Sequence, residues 1–171
     1  MSVPLRFLCL LSLAVGALHC TPMSDQEGEL SEPQYIDCPM DWSIYNNRCF
    51  KYVASQLDWA DAESYCLSLG ANLASVNNKG EFGFVKSLIR GFDPAESFTW
   101  IGLSDLHKEE RWMWSDGSKV VYTMWSSGEP NNGLGTNPEN CVHTNSQNDK
   151  LWNDMSCSNK FAFVCATRPG L

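Results

Sequence analysis

Hydrophobic and polar positions change their period several times along the chain, and each change marks an element. Phe7 to Leu18 is an apolar run interrupted only by Ser12 as a hydroxylic residue. Residues 21–37 are polar and acidic, with Pro22 and Pro33, a composition that reads as a flexible arm. From Cys38 to Tyr52, aromatic and apolar residues flank Asn46-Asn47, a turn signal between two short extended runs, so a hairpin is expected. The period then becomes helical. Trp59, Ala62, Cys66 and Leu69 recur at intervals of 3, 4 and 3, which predicts a helix over Asp58 to Leu69 with Asp58 as cap and Gly70 as stop. Phe82, Val85 and Ile89 form one stripe, predicting a second helix over Lys79 to Arg90. Asn78 with Glu81 makes a capping-box start, and Gly91 is the expected end. Beyond Phe98 the pattern breaks into short strands at Trp100–Leu103, Trp112–Trp114, Cys141–Thr144 and Phe161–Cys165. A long Gly-, Pro- and Asn-rich loop separates Trp125 from Cys141, and a loop of that length in a compact domain is usually functional or disordered.

Position and composition refine this. Arg6 before the first apolar run, and Val15-Gly16-Ala17 after it, give residues 1–20 the form of a secretory signal. That run is short for a membrane span, and no later stretch approaches the needed length. Export explains the cysteines. Cys9 and Cys20 belong to the signal or its edge. Cys38, Cys49, Cys66, Cys141, Cys157 and Cys165 read as three disulfides whose pairing the count leaves open. Cys20, if retained, offers a link between two chains. The formal net charge of the 171 residues is −8, a poor footprint for nucleic acid or anionic membranes. Neither H-E-x-x-H nor G-x-S-x-G occurs, and no Cys-His pair is free of the expected disulfides, so no enzyme is expected. No N-x-S/T sequon occurs.

Candidate chemistry gathers in three segments: Gly128-Glu129-Pro130-Asn131-Asn132, Pro138-Glu139-Asn140-Cys141 and Leu151-Trp152-Asn153-Asp154. Each places carboxylate or carboxamide oxygens beside a rigid marker. Oxygen donors without clustered His or thiolate suit a hard cation, with calcium the natural candidate.

The ordered motifs resemble those of the C-type lectin-like domain. They are Cys-Pro-x-x-Trp at Cys38 to Trp42, Trp-Ala-Asp-Ala-Glu-x-x-Cys at Trp59 to Cys66, and Leu-Gly-Ala-Asn-Leu-Ala-Ser at Leu69 to Ser75. Trp-Ile-Gly-Leu at Trp100, Trp-Ser-Asp-Gly at Trp114, Glu-Pro-Asn at Glu129 and Trp-Asn-Asp-x-x-Cys at Trp152 follow in register. The short form with a signal is most similar to secreted lectins of fish and to type II antifreeze proteins. The resemblance implies an α+β domain over residues 38–166, with two helices, small antiparallel sheets and a long calcium-binding loop. It implies disulfides Cys38–Cys49, Cys66–Cys165 and Cys141–Cys157, and a cis Pro130. It implies a main Ca²⁺ site made by Glu129, Asn131, Glu139, Asn153 and Asp154, the same residues that hold carbohydrate. Asp105 and Glu109 match ligands of an auxiliary Ca²⁺ site, weakened here because Asn132 and Asn140 stand where Asp is common.

In this family Glu-Pro-Asn implies glycans with equatorial 3- and 4-hydroxyls: mannose, N-acetylglucosamine, or fucose through its equivalent pair. The expectation is therefore a secreted, extracellular lectin in innate recognition of microbial glycans, a homo-oligomer if Cys20 is retained to link two chains, with no nucleic-acid partner. An ice-binding protein or a protein-binding module without sugar is the alternative. His143 is a candidate secondary sugar contact, although a strand histidine is more often structural. The loop from Asn131 to Glu139 is longer than in mannose-binding relatives and contains no aromatic stacking face. Trp112, Trp114, Trp125 and Trp152 are expected as core or loop anchors.

Overall fold

The structure is a computed structural model that describes residues 7–11, 18–22, 38–133 and 138–168. The chain divides into two units, residues 1–35 and 36–171. In the first, β1 (Phe7–Leu11) pairs antiparallel with β2 (Leu18–Pro22). The remainder of the expected signal (1–20) and arm (21–37), and the side chain of Cys20, lie outside the described residues.

The second unit opens with the expected hairpin. β3 (Ser43–Tyr45) pairs with β4 (Arg48–Leu57), and Asn46 and Asn47 turn the chain at φ 47° and 61°, a region that asparagine tolerates. α1 (Trp59–Ser68) starts where Asp58 accepts the Asp61 N–H at 2.9 Å, and it buries Trp59, Ala62 and Cys66. Leu69, expected on that buried stripe, is the exposed C-cap instead. The chain leaves through Gly70 at φ 69° into the short strand β5 (Asn72–Leu73).

α2 (Lys79–Phe92) has Asn78 as N-cap, accepting the Glu81 N–H at 2.9 Å. It does not stop at Gly91. Its last turn continues to Phe92 and closes at Asp93, whose N–H reaches the Ile89 carbonyl at 2.7 Å. A glycine weakens a helix interior but does not oblige it to end. The capping residue Glu81 has a second use that the sequence did not suggest. It is buried, takes the Asn77 N–H at 2.7 Å, and pairs with Arg48 of the hairpin at 2.7 Å. Arg48 also donates to the Ser75 carbonyl at 3.0 Å, so one guanidinium joins β4, the β5–α2 connection and α2.

The remaining strands are β6 (Thr99–Ser104), β7 (Met113–Trp114), β8 (Cys141–Ser146), β9 (Leu151–Met155) and β10 (Phe161–Thr167). They form one hydrogen-bonded sheet in the order β3-β4-β10-β6-β8-β9, with β5 on β10 and β7 on β6. The β10–β6 junction is parallel. Successive residues of β10 face opposite sides. Phe163 and Cys165 join Trp59, Ala62, Cys66 and Trp100 beneath α1. Val164 and Ala166 join Phe82, Val85, Leu88 and Ile89 beneath α2. With both faces covered, β6 and β8 are buried along their whole length. That is why the polar residues His143, Thr144, Asn145 and Ser146 lie inside.

Disulfides brace this frame. Cys38–Cys49 closes the hairpin, Cys66–Cys165 ties α1 to β10, and Cys141–Cys157 joins β8 to the segment after β9. The second spans 99 residues, so in the chain-entropy account it contributes about 4–5 kcal/mol.

Gly102 sits where β6 is approached by another backbone. A Cβ there would lie 2.5 Å from the Leu73 carbonyl oxygen and 2.8 Å from Ser115 Oγ. Gly102→Ala is therefore expected to destabilise the domain by about 1–3 kcal/mol. A urea midpoint that does not move would show that β5 yields freely.

Candidate functional site

The three oxygen-bearing segments converge because Trp152 holds two of them. Its indole is fully buried, with Phe82, Trp114, Tyr122 and Trp125 meeting it edge-on at centroid distances of 5.7–6.0 Å. Its backbone makes an isolated bridge to Trp125. The Trp152 N–H donates to the Met124 carbonyl at 2.9 Å, and the Trp152 carbonyl accepts the Ser126 N–H at 2.8 Å. The segment carrying Glu129 thus starts from a fixed point on β9, directly beside Asn153 and Asp154. A turn closed by Glu129 N–H to the Ser126 carbonyl (3.0 Å) and Gly128 at φ 90° then leads into Glu129–Pro130, whose peptide bond is cis. The aromatic anchors behave as the sequence suggested, since Trp114 and Trp152 are buried and Trp112 packs on Trp125 at 4.9 Å.

Asp154 is the centre of the site. It is buried, and its carboxylate accepts the N–H groups of Asn131 at 3.1 Å and Asn132 at 2.8 Å. Asn131 gives its side-chain amide to Glu129 Oε2 and takes the Gly133 N–H on its own oxygen at 2.7 Å. Asn132 Oδ1 receives the Glu139 N–H at 2.8 Å, which draws the far side of the loop back to the near side. Gly133, at φ 59°, leaves room for the Glu139 carboxylate, which a Cβ would meet at 3.0 Å. Asn153 is buried beside them and donates to the Asp154 carbonyl. Glu129, Asn131, Glu139, Asn153 and Asp154 therefore share one locus. Leu134 to Asn137, within the longer loop, lie outside the described residues.

A match to the lectin C-type domain runs over residues 55–167. The chain belongs to the C-type lectin domain family. It is 40% identical over 129 residues to the galactose-specific lectin nattectin of Thalassophryne nattereri, covering 75% of this chain and 79% of that protein. It is equally 40% identical, over 131 residues, to the type-2 ice-structuring protein of Osmerus mordax, covering 76% and 71%. Among solved structures, the cow C-type carbohydrate-recognition domain of CD23, determined in the presence of a GlcNAc2Man3 oligosaccharide, superposes with a TM-score of 0.70 at 28% identity, covering 80% of this chain and 99% of that one.

In this C-type lectin domain the electrostatics of the locus suit a cation. Burial pushes the Glu129 carboxyl up to about 7, and the charges of Asp154 and Glu139 add to the rise. Glu139 is raised for the same reasons, burial first and Asp154 second, with the Gly133 N–H opposing. Among the described residues no Lys or Arg pairs with any of the three. Nor, among those residues, are three His, Cys, Asp or Glu side chains grouped to hold an ion as they stand. The two findings are compatible. Two of the five donors are carboxamides, and the carboxylates face one another closely enough to repel without closing into a cage. Such a set fits a hard divalent ion, which would remove the repulsion.

The outlying residues are arranged differently. Asp105 is buried and already satisfied. Asn140 Nδ2 donates to one of its oxygens and the Glu110 N–H to the other, both at 2.8 Å. Glu109 stands exposed on the turn beyond, and the Asn132 oxygen is taken by Glu139. His143 is fully buried, so it cannot touch a ligand directly. Its Nδ1 lies 3.0 Å from the Thr144 carbonyl and its Nε2 lies 3.3 Å from Asn153 Nδ2. A neutral ring donating through Nδ1 and accepting through Nε2 satisfies both and orients Asn153. Burial holds its pKa below the usual value, which favours that neutral form. Sequence reasoning missed Gln147, whose Nε2 reaches Glu129 Oε1 at 3.5 Å. Only its place in the β8–β9 turn identifies it.

Carboxyls raised in the folded chain bind protons more tightly there than in the unfolded chain. The cation-free domain should therefore lose stability as pH rises from about 4.5 through about 7. Glu129→Gln removes the group with the larger rise. At pH 8 without divalent ions it should be more stable than the parent by on the order of 1 kcal/mol, after discounting for solvent screening. Denaturation at pH 5 and pH 8 checks this, and identical pH slopes for both proteins would refute it.

Proposed function

We propose that the chain is a secreted, calcium-dependent lectin that binds mannose-type glycans, on microbial surfaces in innate recognition. The observation that carries this reading is the convergence of Glu129, Asn131 and Glu139 on buried Asp154, with surplus negative charge and no basic partner among the described residues. Three disulfides accord with an exported protein, and no helix among the described residues is long and apolar enough to cross a membrane.

Glu129, Asn131, Glu139, Asn153 and Asp154 would hold calcium, which when bound supplies coordination positions for two vicinal hydroxyls of a pyranose. The residues supply the rest. Glu129 is an acceptor for hydroxyl protons, and the Asn131 amide is a donor to hydroxyl oxygens. Their contact in the free site, Asn131 Nδ2 to Glu129 Oε2, keeps both polar groups paired until a sugar separates them. This donor–acceptor order supports equatorial 3- and 4-hydroxyls: mannose, N-acetylglucosamine, or fucose. It departs from the galactose preference in nattectin's name. His143 fixes Asn153, and Trp152 fixes the base of the loop. Single-site affinity on an open surface is weak, so binding to cells would use several copies.

A single calcium is the better reading of the neighbouring residues. Asn140 donates its amide to Asp105 and so engages one of the carboxylate oxygens that a second cation would need. A second function is kept open by one finding: identity to the ice-structuring relative equals that to the galactose-specific lectin. Thermal hysteresis would favour it.

Retention on mannose resin should require calcium, reverse with EDTA, and disappear in Asp154→Ala. Retention indifferent to EDTA would defeat the reading. Calcium titration should show one ion per chain, and a second ion of similar affinity would restore Asp105, Glu109, Asn132 and Asn140 as an auxiliary site.

A further inference from the structure

Asn132 and Gly133 form the one Asn-Gly pair in the chain. After an asparagine, a glycine nitrogen has no neighbouring Cβ to obstruct it, so it closes on the side-chain amide carbon more readily than any other residue would. The site calls for both residues. Asn132 stands at φ 53°, in the left-handed region that asparagine tolerates and most residues avoid. Gly133 stands at φ 59°, and a Cβ there would meet the Glu139 side chain at 3.0 Å. The packing that organises the loop therefore writes a chemically labile pair into it.

The contacts of the pair suit the reaction. Asn132 Oδ1 accepts the Glu139 N–H at 2.8 Å, which draws electron density from the amide carbon. The Gly133 N–H donates to Asn131 Oδ1 at 2.7 Å, so an acceptor already stands beside the proton that must leave. Asn132 Nδ2, the leaving nitrogen, has no hydrogen-bond partner among the described residues. The residue is half-buried and within reach of water. Asn145, followed by the small Ser146, makes the contrast. It is 1% exposed and gives its Nδ2 to the Ser97 carbonyl at 3.1 Å, so its leaving nitrogen is held away from solvent.

We propose that Asn132 is a site of spontaneous deamidation, and that the aspartate formed there adds a carboxylate to the Asp154 locus and tightens its hold on a divalent cation. The Gly133 nitrogen loses its proton and bonds to Asn132 Cγ. The Cγ–Nδ2 bond breaks, and the amide nitrogen leaves as ammonia with that proton. Water then opens the five-membered imide. Cleavage between Cγ and the Gly133 nitrogen gives aspartate at 132. Cleavage of the other imide bond gives isoaspartate, with a main chain longer by one methylene. One water is consumed, one ammonia is released and no electrons are transferred. Aspartate suits the position, since it tolerates the left-handed backbone and can accept the Glu139 N–H as asparagine does. Isoaspartate displaces Gly133 from its place against Glu139. The cation clause rests on the proposed calcium site; the modification does not.

The test holds the folded protein at mildly alkaline pH and maps its peptides by mass. The Asn132 peptide should gain about 1 Da, at least about ten-fold faster than the Asn145 peptide. Asn132→Gln, which would have to close a larger ring, should abolish the gain. Conversion at Asn132 no faster than at Asn145, in protein whose circular dichroism stays native, overturns the site. The aspartate form, separated by anion exchange, and the variant Asn132→Asp should each bind calcium about three-fold or more tightly than the parent, and the isoaspartate form more weakly. Unchanged calcium affinity in Asn132→Asp overturns the tightening. Absence of calcium binding in every form overturns the calcium reading of the function, while the mass map still decides the modification.

Discussion

The constraint on which the site depends is the burial of Trp152. An indole packed edge-on by four aromatic rings has one position available, and the backbone that carries it is consequently fixed. Two useful things follow from that one placement. Asn153 and Asp154 are the next residues along β9, so their side chains inherit its precision. The two hydrogen bonds between the Trp152 backbone and Met124 and Ser126 give an otherwise irregular segment a fixed origin. The loop beyond has few apolar residues to anchor it, and its order comes from polar contacts with Asp154. Core packing thereby sets the geometry of groups that lie outside the core.

The same arrangement explains why the locus is electrostatically tense. Asp154 is buried and organises the loop: Asn132 Oδ1 holds the Glu139 N–H, while the backbone N–H groups of Asn131 and Asn132 turn to the Asp154 carboxylate, which leaves Glu129 and Glu139 close to it. Those N–H groups satisfy Asp154, but they do nothing to relieve the repulsion that the two glutamates feel from it. Elsewhere in the domain a buried acid is matched within the chain, as Glu81 is by Arg48. The contrast between these two carboxylate environments separates a charge paired inside the domain from charges with no basic partner among the described residues.

Much of the architecture was legible in the sequence, because helices and caps leave local signals. Asp58 and Asn78 cap as their spacing suggests, and Trp59, Ala62 and Cys66 lie inside as their period requires. The failures are equally physical. β9 leaves no strand signal because Leu-Trp-Asn-Asp-Met reads as turn chemistry, yet its pairing with β8 outweighs the poor strand propensity of Asn and Asp. β5 is two residues long and exists only because β10 lies beside it. Leu69 and Gly91 depart from the sequence pattern at helix ends, where one residue of register decides exposure or termination. For the site, the Glu-Pro-Asn and Trp-Asn-Asp segments were visible as motifs. Gln147 was not, since it matters only through Glu129, a neighbour distant in sequence.

The covalent framework has an uneven reach. No cysteine lies between Cys66 and Cys141, so the stretch that holds β6, β7 and the whole loop from Ser126 to Asn140 contains no crosslink. The crosslinks gather in the N-terminal hairpin, α1, β10 and the flanks of β8 and β9. Substitutions at the exposed positions of that stretch can therefore accumulate without touching a disulfide, whereas its buried positions, Gly102 among them, stay tied to the core. On such a frame, lineages can exchange what the surface recognises while the scaffold persists, and relatives of equal identity can carry names as different as lectin and ice-structuring protein.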